Sequence, residues 1–158
     1  MRDEQWLANE LNQPMFVVTA HDGSRDAGCL VGFATQCSIT PLRFIVFLSK
    51  NNYTYRVACS AAALGVHVVP EGRLDLAALF GEMTGDEVDK LSETSWARGP
   101  EATPILQACP DWFVGRIVDR FDVGDHVGFV LKPEDGEAGG ASAVGFQEVR
   151  HLQPGHPA

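Results

Sequence analysis

Two short polar clusters hold the residue types best able to do chemistry in this 158-residue chain. The first, Thr35-Gln36-Cys37-Ser38, ends an apolar run that begins at Gly28; the second, Ser49-Lys50-Asn51-Asn52-Tyr53-Thr54-Tyr55, ends the run Phe44 to Leu48. Both offer small neutral hydrogen-bonding side chains, and Lys50 is the only basic residue between Arg43 and Arg56. Apolar walls with convergent donors and one cation suit a planar ring with a polar edge and a single phosphate. Lys50 is expected to act as a point charge beside that phosphate. Ser49, Asn52 and Thr54 would be its neutral donors, and the start of the following helix would add backbone N–H groups. Spacing alone is equally compatible with a plain polar loop in which Thr54 caps the next helix, and with ordinary strand-end polarity at Thr35 to Ser38.

Composition excludes several other classes. Lys and Arg number 12 against 21 Asp and Glu, a net charge of -9, and the basic residues are scattered. Nucleic acid is therefore not expected as a partner, since phosphate neutralisation supplies most non-specific affinity. No stretch approaches the ~20 apolar residues of a membrane span, and the opening Met1-Arg2-Asp3-Glu4 is acidic where a secretory signal is basic and then apolar. A cytoplasmic location without membrane contact is expected. The spacings of Cys29, Cys37, Cys59 and Cys109 match neither zinc knuckles nor a redox pair, so most should be small core residues. Zincin, nucleophile-elbow, Walker and Rossmann signatures are all missing.

The elements that must position the two clusters follow from periodicity. A short helix is expected over residues 3–11, stopped by Pro14, and then a strand from Met15 to Ala20 leading into an Asp22-Gly23 turn. Strands are expected at Cys29 to Phe33 and Phe44 to Leu48, joined through Pro41. The alanine-rich Tyr55 to Leu64 reads as a helix capped by Thr54 and closed by Gly65. A strand at Val66 to Val69 precedes two short helices, Leu74 to Phe80 and Asp86 to Leu91, and an irregular stretch over 92–111. Trp112 to Phe121 and Val127 to Leu131 read as a hairpin, residues 134–145 as a mobile Gly- and Ala-rich segment, and Phe146 to Val149 as a last strand. About seven short strands with singly inserted helices predict one domain over 1–158, a mostly β, antiparallel barrel with peripheral helices.

That order of elements resembles the flavin reductase family over roughly Phe16 to Leu131. The likeness rests on Val17-Val18-Thr19, Gly28 opening the run to Ser38, Pro41, Ser49-Lys50, Val66-His67-Val68, Leu79-Phe80 and Gly124-Asp125-His126. It implies an FMN-binding split barrel of antiparallel Greek-key type. It also implies that Val31, Gly32, Thr35, Gln36, Cys37 and Ser38 line the isoalloxazine, largely through backbone atoms. Ser49, Lys50, Asn52, Thr54 and Tyr55 would take the ribityl and phosphate side, and His126 would lie near the docking face of the nicotinamide. Three departures stand out: Thr40-Pro41 replaces a usual Pro-Pro, Gly32 stands where Ser or Asn is frequent, and His67 replaces the common Asn. The implied activity is hydride transfer from NADH or NADPH to FMN or FAD in a homodimer, with reduced flavin passed to a partner monooxygenase. The alternatives are a non-catalytic FMN-binding electron carrier or sensor, or the same barrel with a deazaflavin or haem-type ligand. Without a dinucleotide fold, the nicotinamide must bind transiently across the flavin.

Overall fold

The computed structural model describes residues 5–156. A short helix α1 (Trp6–Glu10) precedes the hairpin of β1 (Phe16–His21) and β2 (Asp26–Val31), then a second hairpin of β3 (Ala34–Ser38) and β4 (Arg43–Ser49). Helix α2 (Tyr53–Ala58), β5 (Ala63–Val68) and α3 (Leu74–Glu82) follow, and then a small separate hairpin of β6 (Trp96–Arg98) and β7 (Pro104–Leu106). The long strands β8 (Trp112–Asp122) and β9 (His126–Glu137) and a final turn of helix α4 (Phe146–Val149) complete the order.

Seven strands form one sheet in the order β2-β1-β5-β8-β9-β4-β3, all pairings antiparallel. Laid flat, that order would separate β2 from β3 by six inter-strand spacings of about 4.8 Å, roughly 29 Å. Yet only Gly32 and Phe33 join these two strands, and such a link spans roughly 10 Å at most. The sheet therefore has to curl until its two edges meet, which makes a barrel left open along one seam. At the seam the Phe47 N–H donates to the Phe33 carbonyl at 2.9 Å.

The barrel interior holds Val18, Val46, Leu64, Val66 and Phe129, and α2 packs there through Val57 and Ala58. A second apolar layer lies on the outside of β1, where Val17 meets Leu76 and Phe80 of α3, Leu106 of β7 and Val149 of α4. Because both faces of β1 and β5 are buried, their polar residues must be satisfied internally. Thr19 donates to the Pro104 carbonyl at 2.7 Å, and His67 lies between the Val17 carbonyl and the Leu106 amide.

Several expectations are revised by tertiary contacts. The described part of the first helix is Trp6–Glu10; residues 3–4 of the expected span lie outside the described residues. The alanine-rich helix ends at Ala58, and Ala63 opens β5, with Gly65 inside the strand instead of closing a helix. Pairing with β1 on one side and β8 on the other outweighs the helix propensity of alanine there. Asp86 to Leu91 forms turns and a 3-10 turn at Lys90–Glu93, and residues 92–111 include β6 and β7. Glu134–Glu137 belongs to β9, and Asp111 fixes the segment beyond it by accepting N–H bonds from Gly139, Gly140 and Ala141. Phe146–Val149 is helical because the Glu148 carboxylate accepts the Gly145 N–H at 2.8 Å and Phe146 and Val149 share one helix face. Cys29 and Cys109 are core residues, whereas Cys37 and Cys59 are exposed, and all four are unpaired.

The cap of α2 is Asn52, two residues before the expected Thr54: its side chain accepts the Thr54 N–H at 2.8 Å. Asn52→Ala is expected to cost about 1 kcal/mol and to lower Tm by roughly 2–4 °C. A thermal melt with no change would show the cap to be dispensable.

Candidate functional site

A cavity of about 500 Å³ opens at the barrel seam. Val31, Gly32 and Phe33, the link between the two sheet edges, form one wall, with Phe47 and Leu48 of β4 beside them. Ser49, Asn52 and His126 form a polar end. Antiparallel pairing explains this meeting: Ser49, the last residue of β4, stands opposite His126, the first of β9. The chain then turns sharply, with the Lys50 N–H donating to the Asp125 carbonyl and the Asn52 N–H to the Ser49 carbonyl, both at 2.9 Å.

His126 is held from two sides. Its Nδ1 lies 2.7 Å from Asp125 Oδ1, and its ring centre lies 5.3 Å from that of Phe33. The hydrogen bond from His126 holds the Asp125 carboxyl below the usual carboxylate range. In the neutral imidazole the proton on Nδ1 faces Asp125, which leaves Nε2 as an acceptor.

The remaining wall comes from residues beyond β9. Phe146, Arg150, Leu152, Pro154 and His156 line the cavity, and the Asn52 side-chain amide lies 3.2 Å from His156 Nε2. Among the described residues no Asp or Glu lines this cavity, although the chain as a whole carries a net charge of -9. Apolar walls, neutral donors, one arginine and two histidines favour an anionic ligand with a large planar part. A second cavity of about 680 Å³, bordered by Arg25, Asp26, Asp86, Asp89 and Lys90, has the opposite character. Its cations are engaged: Arg25 pairs with Asp22, and the buried Lys90 ammonium donates to the Phe80 carbonyl near the end of α3.

Of the residues singled out from sequence, Val31, Gly32, Ser49, Asn52 and His126 share the cavity. The others do not meet there within one chain. Ser38 stands opposite Arg43 at the start of β4, while Ser49 is at its end, six residues or roughly 20 Å away. The expected convergence of Thr35–Ser38 with Ser49–Tyr55 therefore does not occur in a single subunit: β3 runs antiparallel to β4 and carries its tip away from the seam. Thr35, Gln36 and Cys37 are exposed along this edge strand. Lys50 places Nζ on Asp122 Oδ2 at 2.7 Å, which lowers the Asp122 carboxyl. Thr54 is a buried residue of α2, and the Tyr55 ring packs on Phe129 at 6.2 Å.

Sequence reasoning missed Phe33, Phe47, Phe146, Arg150 and His156 as cavity residues. One signal was legible: Gly145 followed three residues on by Glu148 is a helix-start pattern, and it brings 146–156 back across the seam. The return of that segment depends on long-range contacts. The Gln147 side-chain amide donates to the carbonyls of Ala8, Asn9 and Leu11, which ties α4 to α1.

Comparison with known proteins gives a consistent picture. The model of the flavin reductase like domain matches residues 8–149. A curated relative, FMN reductase (NADH) RutF of Methylorubrum extorquens, is 26% identical over 144 residues, covering 90% of this chain and 70% of its own. A solved Sinorhizobium meliloti 1021 protein superimposes with TM-score 0.81 at 24% identity, covering 92% of this chain; this chain spans about half of it, 51%. The NADH:FAD oxidoreductase SgcE6 of Streptomyces globisporus C-1027, solved with NAD and FAD fragments, gives TM-score 0.74 at 19% identity, covering 84% and 79% of the two chains. At these identities the two structures establish the split-barrel fold.

Proposed function

Because the chain belongs to the flavin reductase like family, we propose that it binds FMN or FAD in the seam cavity and reduces it with NADH or NADPH. The observation that carries this reading is the cavity itself: about 500 Å³, apolar along Val31–Phe33 and Phe47, polar at Ser49, Asn52 and His126, and with no carboxylate among the described lining residues. Those residues fit a flavin, since an apolar slot accepts the ring and neutral donors accept its polyol and phosphate. When bound, the flavin supplies the hydride-accepting ring.

The chain's own part is orientation and exclusion of water. Val31, Gly32 and Phe33 form the ring wall, and Ser49 and Asn52 offer a hydroxyl and an amide to the polyol. His126, steadied by Asp125 and Phe33, positions the incoming nicotinamide with Nε2; holding two rings in contact is what hydride transfer requires of a protein. The exposed apolar side chains of Phe33, Ile39 and Leu42 around the edge strand β3, Ile39 being 83% exposed, support a homodimer in which a second copy covers this edge. The Thr35–Ser38 strand would then complete the ring wall across the interface. Release of reduced flavin to a monooxygenase and a cytoplasmic setting belong to the same proposal; four unpaired cysteines suit a reducing compartment.

The test is to mix the purified protein with FMN or FAD and each pyridine nucleotide and follow loss of the nicotinamide absorbance band. Flavin-dependent consumption supports the reading. No consumption in any combination defeats the enzymatic part, and flavin retained through dialysis without turnover selects the carrier or sensor. Elution at a monomeric volume in sizing chromatography removes the dimer.

A further inference from the structure

The geometry points to a size filter at the polar end of the seam cavity: residues 151–156 close that end behind the phosphate, so the site takes the mononucleotide FMN and rejects the dinucleotide FAD. This rests on the flavin reading above and narrows it from two flavins to one.

The cavity gives a flavin a direction. With its rings along Val31–Phe33 and its polyol at Ser49 and Asn52, its phosphate comes to the loop that leads from β4 into α2. FMN ends there. FAD continues with a second phosphate and an adenosine, which need an opening beyond Asn52.

A closed circuit of contacts stands in that position. The Asn52 side-chain amide lies 3.2 Å from His156 Nε2. The preceding residue, Gly155, is seated on backbone: a Cβ there would lie 2.7 Å from the Glu82 carbonyl oxygen and 2.9 Å from the Met83 carbonyl carbon and the Thr84 nitrogen. Next to Thr84, a Cβ at Gly85 would lie 2.6 Å from the ring of Tyr53, the residue that follows Asn52. The circuit thus returns to its start, with a glycine at each of its two closest approaches. Asp86 pairs with Arg56 of α2 and holds the same stretch from outside.

The ground beyond this circuit is acidic. Tyr53 and Gly85 also border the second cavity, together with Asp86, Glu87 and Asp89. Glu87 and Asp89 take part in no ion pair among the described residues, and the cations of this cavity are engaged as described above. A second phosphate directed past Tyr53 would meet uncompensated negative charge, so repulsion adds to the steric block.

The experiment is isothermal titration calorimetry of the full chain with FMN and with FAD. The wild-type protein is expected to bind FMN about tenfold or more tighter than FAD. Gly155→Val puts a side chain against the backbone of residues 82–84 and unseats the strap; FAD should then bind about tenfold tighter than before while FMN stays within about threefold. His156→Ala releases the strap from Asn52 and should act in the same direction to a smaller degree. Equal wild-type affinities, or a preference for FAD, overturn the inference and leave the flavin reading standing. An unchanged ratio in both variants also overturns it, as does a preference lost through weaker FMN binding and not through tighter FAD binding. If Gly155→Val does not fold, His156→Ala decides the outcome. A wild-type protein that binds neither flavin overturns the functional reading, and this inference with it, before any variant is compared.

Discussion

A Gly32→Phe variant is expected to fold and to lose its flavin. Gly32 lies in the two-residue link that joins β2 to β3 and forms part of the cavity wall. A Cβ placed there meets Met15 Sδ at 3.2 Å and Met15 Cε at 3.3 Å, and Met15 itself lines the cavity. Methionine is flexible and gives way at small cost. Any larger side chain at position 32 must therefore push Met15 into the cavity or enter it directly. A phenyl group in a space of about 500 Å³ leaves no slot for a three-ring system. FMN affinity should fall at least ~100-fold, or ~2.7 kcal/mol, while Tm falls by only a few degrees, since the link is not in the core. Flavin titration and a thermal melt on the same sample check both parts. Wild-type affinity in Gly32→Phe would place the flavin outside the seam cavity and redirect the functional reading to another surface.

The second large effect is the loss of stability in mild acid, centred on His67. This residue is fully buried, its Nδ1 3.0 Å from the Val17 carbonyl and its Nε2 3.1 Å from the Leu106 amide nitrogen. The pair of contacts requires the neutral form, with Nδ1–H donating and Nε2 accepting. Burial pulls the imidazole pKa down to about 4, against a partial opposing effect of the Val17 carbonyl. Below the ordinary value of 6.5 the unfolded chain takes up a proton that the folded chain refuses until about pH 4. Stability is thus complete above pH 6.5 and falls as the pH drops through that window, by about 3 kcal/mol in all. Urea denaturation at a series of pH values from 7 to about 4 should show this decline.

In His67→Leu the decline should be absent, and stability at pH 7 should be lower by roughly 2–6 kcal/mol, because the Val17 carbonyl and Leu106 amide are left buried without partners. A wild-type profile that is flat between these pH values would contradict the assignment even if the variant fails to fold. The contacts also account for histidine where the resemblance led to an expectation of asparagine. The imidazole spans from β1 to β7 and secures the outer hairpin to the sheet.

Much of the site frame was legible in the chain. The Asp22-Gly23 turn, the Pro41 connection and the apolar runs at Val17, Val46 and Phe129 are local patterns, and local patterns reflect backbone sterics and burial that act within a few residues. Ser49 and Asn52 were found for the same reason, as polar residues where the chain leaves β4 and enters α2, whereas Val31, Gly32 and His126 came from the family resemblance. Other parts were not legible. The alanines at 61–63 favour a helix in isolation, yet the helix stops at Ala58 and Ala63 opens strand β5 against β8. Phe146–Val149 resembles a strand by composition and is wound into a helix by Glu148.

What the amino-acid sequence determined by itself was most strands of the large sheet, the polar residues at their ends and the family to which they point. Only the tertiary structure decided which ends meet. Antiparallel pairing sends Ser38 and Ser49 to opposite ends of β4, closure of the sheet at Gly32–Phe33 opens the cavity at the other end, and a salt bridge to Asp122 takes Lys50 away from it. Arg150 and His156 reach the cavity through contacts with Asn9, Asn52 and the end of α3, more than 60 residues away in every case. Such pairings depend on chain closure and long-range packing, which no local run of residues encodes.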